Sequence, residues 1–182
     1  MAIRGKNHPL FSSSIQFSYN TGGSQGKDLY IIKVKFMCKK MTPKSALTMF
    51  SQGFDCSQVV LSHVCDKLGL SREAALKASA AFGGGMQHGD TCGCVIGALI
   101  AIGLKYGTAL PGDFEAKNNM LMKKAAFEEK FCAAHKGYLC REILGYNPAI
   151  PEEMSKIQEK KLLETLCPEV VCKTCELLEE ML

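Results

Sequence analysis

From residue 42 onward, helix-capping residues and helix-terminating glycines recur between apolar segments that have helical periodicity. Ser, Thr or Asp precedes most of these segments, where its side chain can accept a hydrogen bond from a free backbone N–H group. Glycine follows several of them, as is common at the C-terminal end of a helix. Predicted helices span residues 43–51, 56–68, 72–81, 91–106, 114–135, 140–144, 152–166 and 168–182. The pattern predicts an all-α fold, a compact multi-helix bundle.

The segment 91–106 is the most apolar of the predicted helices, and we expect it to be the buried central helix. Gly93, Gly97 and Ala101 lie four residues apart in it and therefore share one face. Small residues on a helix face allow a neighbouring backbone to approach closely. This face serves either tight core packing or a gap that admits a cofactor or a redox partner.

Residues 1–36 differ in composition from the rest of the chain. The first 28 residues are rich in Ser, Gly, Asn and Gln and show no periodicity, while residues 29–36 alternate weakly, as a single strand would. We expect residues 1–36 to be a disordered N-terminal extension. Residues 37–182 then form one helical, cysteine-rich domain.

The distribution of charge argues against two classes of partner. Residues 1–36 carry five basic side chains and one acidic one, which accounts for the whole net charge of +4. A nucleic-acid-binding protein needs its basic excess on the folded surface, so we expect no nucleic-acid partner. No segment reaches the roughly 18–20 apolar residues of a membrane span, so we expect no membrane partner.

All ten cysteines follow residue 37, and residues 1–20 contain no apolar signal segment. The sequence therefore predicts a reducing compartment, the cytoplasm. Cysteines kept there serve more often as metal ligands, as catalytic thiols or as core residues than as structural disulfides.

Three cysteines, Cys56, Cys92 and Cys167, are predicted at helix N-termini. Free N–H groups and the positive end of the helix dipole stabilise a thiolate at such a position. The three thiols are therefore candidates for nucleophiles or for metal ligands.

Cys94 and His88 are candidate cofactor-binding residues beside Cys92. In a regular helix Cys92 and Cys94 point about 200° apart, so they act together only if the first turn is irregular. His88 lies four residues before Cys92, where it is either a base or ligand or a solvated loop residue. The glycine-rich loop at 83–89 is not a P-loop, because no strand precedes it and no Lys-Ser/Thr follows it.

The remaining cysteines favour packing over chemistry. Cys172 and Cys175 form a Cys-x-x-Cys pair inside the last predicted helix, where a buried stripe is the favoured interpretation. Cys132 and His135 form half a zinc site without a second half. Cys65 is predicted to be a core residue, and Cys38 is treated as incidental.

Several segments together resemble a known family of redox-active proteins, named for its Cys, Gly-Cys-Ala-x-x-Gly, Cys, Cys pattern. The resemblance covers residues 41–182. The segments that carry it are FGGG at 82–85, GDTCGCVIGAL at 89–99, GLKYG at 103–107, FDCSQVV at 54–60, GYLCREILG at 137–145 and CPEVV at 167–171.

The resemblance implies that Cys56, Cys92, Cys140 and Cys167 are the family's signature cysteines, and we expect them to converge. They would act as catalytic thiols in thiol–disulfide or electron-transfer chemistry, or as ligands of an iron–sulfur cluster or another soft metal. The sequence departs from the family pattern at Cys94, where the pattern has Ala. The alternatives are a metal or iron–sulfur binding protein and a helical interaction module with packed cysteines. A redox partner protein is expected, and a homodimer stays open.

Overall fold

The computed structural model describes residues 40–182, so the expectations for residues 1–36 and for Cys38 lie outside the described residues. The described part is all-α, as the capping pattern predicts, and no residue of it belongs to a β-sheet. Its helices are α1 (Pro43–Ser51), α2 (Cys56–Val64, extended by a 3₁₀ turn at Cys65–Leu68), α3 (Arg72–Ala78), α4 (Gly93–Tyr106), α5 (Phe114–Ala134), α6 (Cys140–Leu144), α7 (Pro151–Glu159) and α8 (Leu162–Met181).

Helix α4 is the central helix of the bundle and packs against α2, α5 and α8. Its buried residues include Val95, Ala98, Ala101 and Ile102, each no more than 1% exposed. Across residues 40–182, no helix combines the length and the apolar content needed to cross a bilayer.

The small-residue face of α4 is filled by α2. A Cβ atom at Gly97 would lie 2.7 Å from the backbone oxygen of Ser57, and one at Gly93 would lie 2.8 Å from the oxygen of Phe82. These glycines serve close packing, which is the first of the two uses considered for this face. The close approach brings the N-termini of α2 and α4 together.

Most helix boundaries lie where the capping residues predict them. Thr42 and Ser45 form a reciprocal capping box at α1, and the side chains of Ser71 and Asp113 cap α3 and α5. Gly69 ends the α2 segment in a left-handed conformation, with φ of 65°. Local hydrogen bonding is therefore sufficient to place these ends.

Helix α3 is shorter than predicted, ending at Ala78 instead of residue 81. Side chains of α2 bind the backbone oxygens at this end: Ser57 Oγ donates to the Ser79 oxygen at 2.7 Å, and Gln58 Nε2 donates to the Leu76 oxygen at 2.9 Å. Because tertiary contacts satisfy these carbonyl groups, further helical turns are not needed.

The predicted break at Pro168 is wrong, since Pro168 lies inside α8. The chain breaks instead at Lys161, which has a left-handed φ of 52°. Placing Pro in a helix interior costs roughly 3 kcal/mol. The continuous buried face of α8, which includes Val170, Thr174 and Leu178, offsets that cost.

Candidate functional site

Five cysteines line one small cavity, which we call the thiol cavity: Cys56, Cys92, Cys94, Cys140 and Cys167. They come from the start of α2, the start of α4, the start of α6 and the second turn of α8. The cavity measures about 10 Å³, about the space of one water-sized sphere. The four signature cysteines and Cys94 thus surround a single, nearly filled space.

Two backbone hydrogen bonds place Cys92 beside Cys140. The Cys92 N–H donates to the Tyr138 oxygen at 2.9 Å, and the Cys140 N–H donates to the Asp90 oxygen at 2.6 Å. On the exposed side of these two hydrogen bonds, Arg141 and Asp90 form an ion pair of 2.5 Å. The link holds the chain before α4 in an extended form.

Because of this link, Cys92 is itself the N-cap of α4, and Asp90 and Thr91 are not. Thr91 instead forms an isolated antiparallel bridge with Leu139. The non-helical backbone of Cys92 makes the first turn irregular, and its thiol can therefore reach the thiol of Cys94.

Cys56 is the first residue of α2 and is only half-buried. The Asp55 N–H donates to Gln58 Oε1 at 2.8 Å, and the Asp55 carboxylate accepts a hydrogen bond from the Gly83 N–H. A Cβ atom at residue 83 would overlap that carboxylate. Gly83 is thus needed for the loop to approach the start of α2.

Cys167 does not lie at a helix N-terminus, contrary to prediction. Helix α8 begins at Leu162, so Cys167 is more than one turn inside it and has no free N–H groups in front of it. Burial raises the pKa of its thiol. Cys167 belongs to the thiol cavity through tertiary packing alone.

The electrostatics of the cavity distinguish one thiol from the others. A hydrogen bond from the Cys94 thiol lowers the pKa of Cys92, and the N–H groups of Cys94 and Val95 add to this effect against the opposing effect of burial. The pKa of Cys94 lies well above its usual range because its thiol hydrogen-bonds to Cys56 and Cys92. Burial also raises the pKa of Cys140. Of Cys92, Cys94, Cys140 and Cys167, only Cys92 has a lowered pKa.

The other candidate residues lie outside the thiol cavity. His88 is exposed on its loop and does not line the cavity. Cys172 and Cys175 are buried in α8, and burial raises the pKa of Cys172 to about 11. Cys65 is a core residue whose thiol donates to the Ser62 oxygen at 3.1 Å. These cysteines are packed thiols, as their positions in the sequence predict.

The five thiols suit a soft metal in chemistry but not in spacing. Within residues 40–182, no group of three or more Cys, His, Asp or Glu side chains is placed to hold one metal ion. All nine cysteines in this part of the chain are free. Binding a metal ion or a cluster in the small thiol cavity would require the surrounding helices to move apart.

A larger cleft of about 510 Å³, which we call the outer cleft, adjoins the thiol cavity and shares Cys56, Cys140, Leu144 and Cys167 with it. Its walls come from α1, the residues before α2, and the starts of α7 and α8. No motif or periodicity in the sequence indicates this cleft. Its lining residues are ordinary apolar positions of separate helices, which become one surface only after folding.

One family model matches the chain, and it covers residues 54–181 under the description "Putative redox-active protein (C_GCAxxG_C_C)". The matched segment contains all nine cysteines of residues 40–182. Comparisons with curated proteins and with solved structures give no significant match. This family model covers more than half of the sequence. The chain therefore belongs to this family of redox-active proteins, which is defined by its cysteine pattern.

Proposed function

We propose that the protein is a thiol–disulfide redox protein in which Cys92 and Cys56 interconvert between dithiol and disulfide. The observation that carries the proposal is the thiol cavity, in which cysteines from four helices meet around one thiol of lowered pKa. A thiolate is the nucleophile in disulfide exchange, which favours Cys92 as the attacking group.

Three thiols line both spaces, and we assign Cys56 as the partner of Cys92 because it begins α2 beside the start of α4, with its Cβ atom 3.5 Å from the position of a Cβ at Gly93. It lines both the thiol cavity and the outer cleft, and its side chain is only half-buried. The Cys94 thiol interacts with the thiols of both Cys56 and Cys92, so it helps to hold the two reacting sulfurs in the same small cavity. Cys94 is thus a positioning residue.

The redox step balances with an external two-electron oxidant. The Cys92 thiolate and the Cys56 thiol lose two electrons and one proton as the S–S bond forms between them. Reduction reverses the step: a partner dithiol attacks the disulfide, and the partner becomes the oxidised species. Cys140 and Cys167 remain protonated neighbours, because burial raises the pKa of both thiols.

The proposed setting is the reducing cytoplasm, with a redox partner protein as the source of electrons. A compartment that keeps thiols reduced allows the dithiol form to be regenerated after each oxidation. The proposal requires one chain only and makes no use of a homodimer.

The test is oxidation of the reduced full-length chain in a glutathione redox buffer, followed by mass-spectrometric mapping of disulfides. We expect a two-electron transition with a Cys56–Cys92 disulfide as its product. Cys92→Ser should abolish the transition, and Cys172→Ser should leave it unchanged because that packed thiol lies outside the cavity.

Two outcomes would contradict the proposal. One is the absence of any disulfide at Cys92 across the titration. The other is stoichiometric iron or zinc in anaerobically purified protein, lost on Cys92→Ser but not on Cys172→Ser. The second result would favour the metal-binding alternative, with acid-labile sulfide distinguishing an iron–sulfur cluster from a single metal ion.

A further inference from the structure

We propose that the outer cleft binds the oxidant of the thiol pair, and that this oxidant is a small, uncharged, quinone-type molecule. This inference rests on the proposed function and adds a substrate class to it. The cleft volume of about 510 Å³ lies within the range of small-molecule sites, which is roughly 300–1,000 Å³.

The walls of the outer cleft are apolar on two sides. Leu47, Phe50 and Phe54 form one side, from α1 and the segment that follows it, and Met154 and Leu163 contribute to the other, from α7 and α8. Leu47 and Leu163 remain 39% and 40% exposed at the surface of the protein. A pair of aliphatic and aromatic walls fits a flat apolar ring system.

The charge of the lining disfavours anionic substrates. The ionisable lining residues other than cysteine are the carboxylates Asp55 and Glu164, and none of the described lining residues is Lys or Arg. Glutathione disulfide and nicotinamide nucleotides carry carboxylates or phosphates, which two carboxylates would repel in a partly apolar cleft. An uncharged oxidant does not have this disadvantage.

Three thiols connect the outer cleft to the thiol cavity. Cys56, Cys140 and Cys167 lie where the outer cleft meets the thiol cavity, so a molecule in the cleft contacts the exchanging pair through Cys56. In the reaction the S–S bond forms between Cys56 and Cys92. The quinone takes up the two electrons and two protons, one from the Cys56 thiol and one from solvent, and leaves as the hydroquinone.

The test uses the full-length chain, reduced and then freed of reductant under nitrogen. The probe is tetramethyl-1,4-benzoquinone, whose ring has no free position for thiol addition. Oxidation is followed by the quinone absorbance and by the thiol count. We expect the oxidation rate to saturate with quinone concentration, and glutathione disulfide to react more slowly without saturating.

Two single substitutions locate the binding site. Leu163→Asp places a charge on the cleft wall at the start of α8, where an acidic residue suits the helix, and should raise the half-saturating quinone concentration by about fivefold or more. Leu110→Asp is the matched control, since Leu110 is 70% exposed and outside the cleft, and should leave that concentration unchanged. Glu164→Lys should speed oxidation by glutathione disulfide.

The inference is overturned if the rate depends linearly on quinone concentration, if both Asp variants behave alike, or if glutathione disulfide is the faster oxidant. Diamide, a small general thiol oxidant, separates this failure from failure of the proposed function. Disulfide formation with diamide but no saturation with the quinone overturns the cleft inference alone. No disulfide with either oxidant contradicts the redox proposal itself.

Discussion

At the residue scale, Cys94 is the neighbour that most affects the thiol of Cys92. Its thiol neighbours those of Cys56 and Cys92 and is buried, with 1% of the residue exposed. A neutral donor beside a thiolate stabilises the charged form, and the buried setting strengthens that interaction. An Ala at position 94 would provide no such donor.

We therefore predict that Cys94→Ala raises the pKa of Cys92, and that Cys94→Ser, which keeps an O–H donor, raises it less. A hydrogen bond to a charged group contributes about 1.5–3 kcal/mol, so alkylation of Cys92 at pH 7 should slow by about tenfold or more in the Ala variant. The measurement is competitive alkylation from pH 5 to 10, read by mass spectrometry.

Cys65 provides the internal control for that measurement. It is as buried as Cys92, at 3% and 6% exposure respectively, but burial raises its pKa while that of Cys92 is lowered. In the unmodified protein, labelling of Cys92 should reach its plateau at a lower pH than labelling of Cys65. Equal profiles would remove the basis for Cys92 as the nucleophile.

The sequence predicted the cysteines of the site more accurately than it predicted the residues around them. Cys56 and Cys92 were recognisable as helix-start cysteines, because a capping residue and a glycine loop precede them. Cys167 was placed wrongly, since Pro168 imitates the first residue of a helix. Asp55, which lines the outer cleft, was recognised as a cap only.

At the element scale, the packing of α2 on α4 sets the position of the site. The backbone contact at Gly97 lets both helix N-termini reach the thiol cavity. Capping residues predict the starts of α1, α3 and α5, because Thr42, Ser71 and Asp113 stabilise these starts locally. The C-terminal end of α3 and the start of α4 depend on hydrogen bonds with distant segments and could not be predicted in that way.

Two glycine substitutions in α4 should have opposite effects on stability. Gly97→Ala places a Cβ atom 2.7 Å from the Ser57 oxygen and should destabilise the protein by about 1–3 kcal/mol through overpacking. Gly103→Ala meets nothing within 4 Å in the same helix and should stabilise it by roughly 0.5–1 kcal/mol through helix propensity. Urea denaturation followed by circular dichroism measures both effects. A Gly97→Ala variant as stable as the unmodified protein would contradict the α2–α4 packing.

At the scale of the whole molecule, the family match and the helical bundle both lie within residues 40–182. We expect residues 1–36 to contribute nothing to the stability of this domain. Deleting them should leave the melting temperature and the labelling profile of Cys92 unchanged, because no apolar periodicity links them to the core. Thermal denaturation of the shortened chain tests this, and a fall of several degrees would show that residues 29–36 pack on the domain.

At the same scale, the outer cleft is the feature that the sequence indicates least. Its lining comes from residues 47 to 167, and each wall residue belongs to the apolar pattern of its own helix. Periodicity predicts which face of a helix is buried. It does not show where two such faces fail to pack against each other and leave a cleft. A cleft of this kind becomes visible only in the assembled bundle.

The convergence of sulfurs from four helices also makes the redox potential depend on the integrity of the fold. In the unfolded chain Cys56 and Cys92 meet only by chance, whereas the native state holds them at a high effective concentration. Under the proposed cycle, the reduction potentials of the folded and unfolded chains differ by about 30 mV for each 1.4 kcal/mol by which the disulfide changes folding free energy. The reduction potential of this site is therefore a measure of the stability of the packing between α2 and α4.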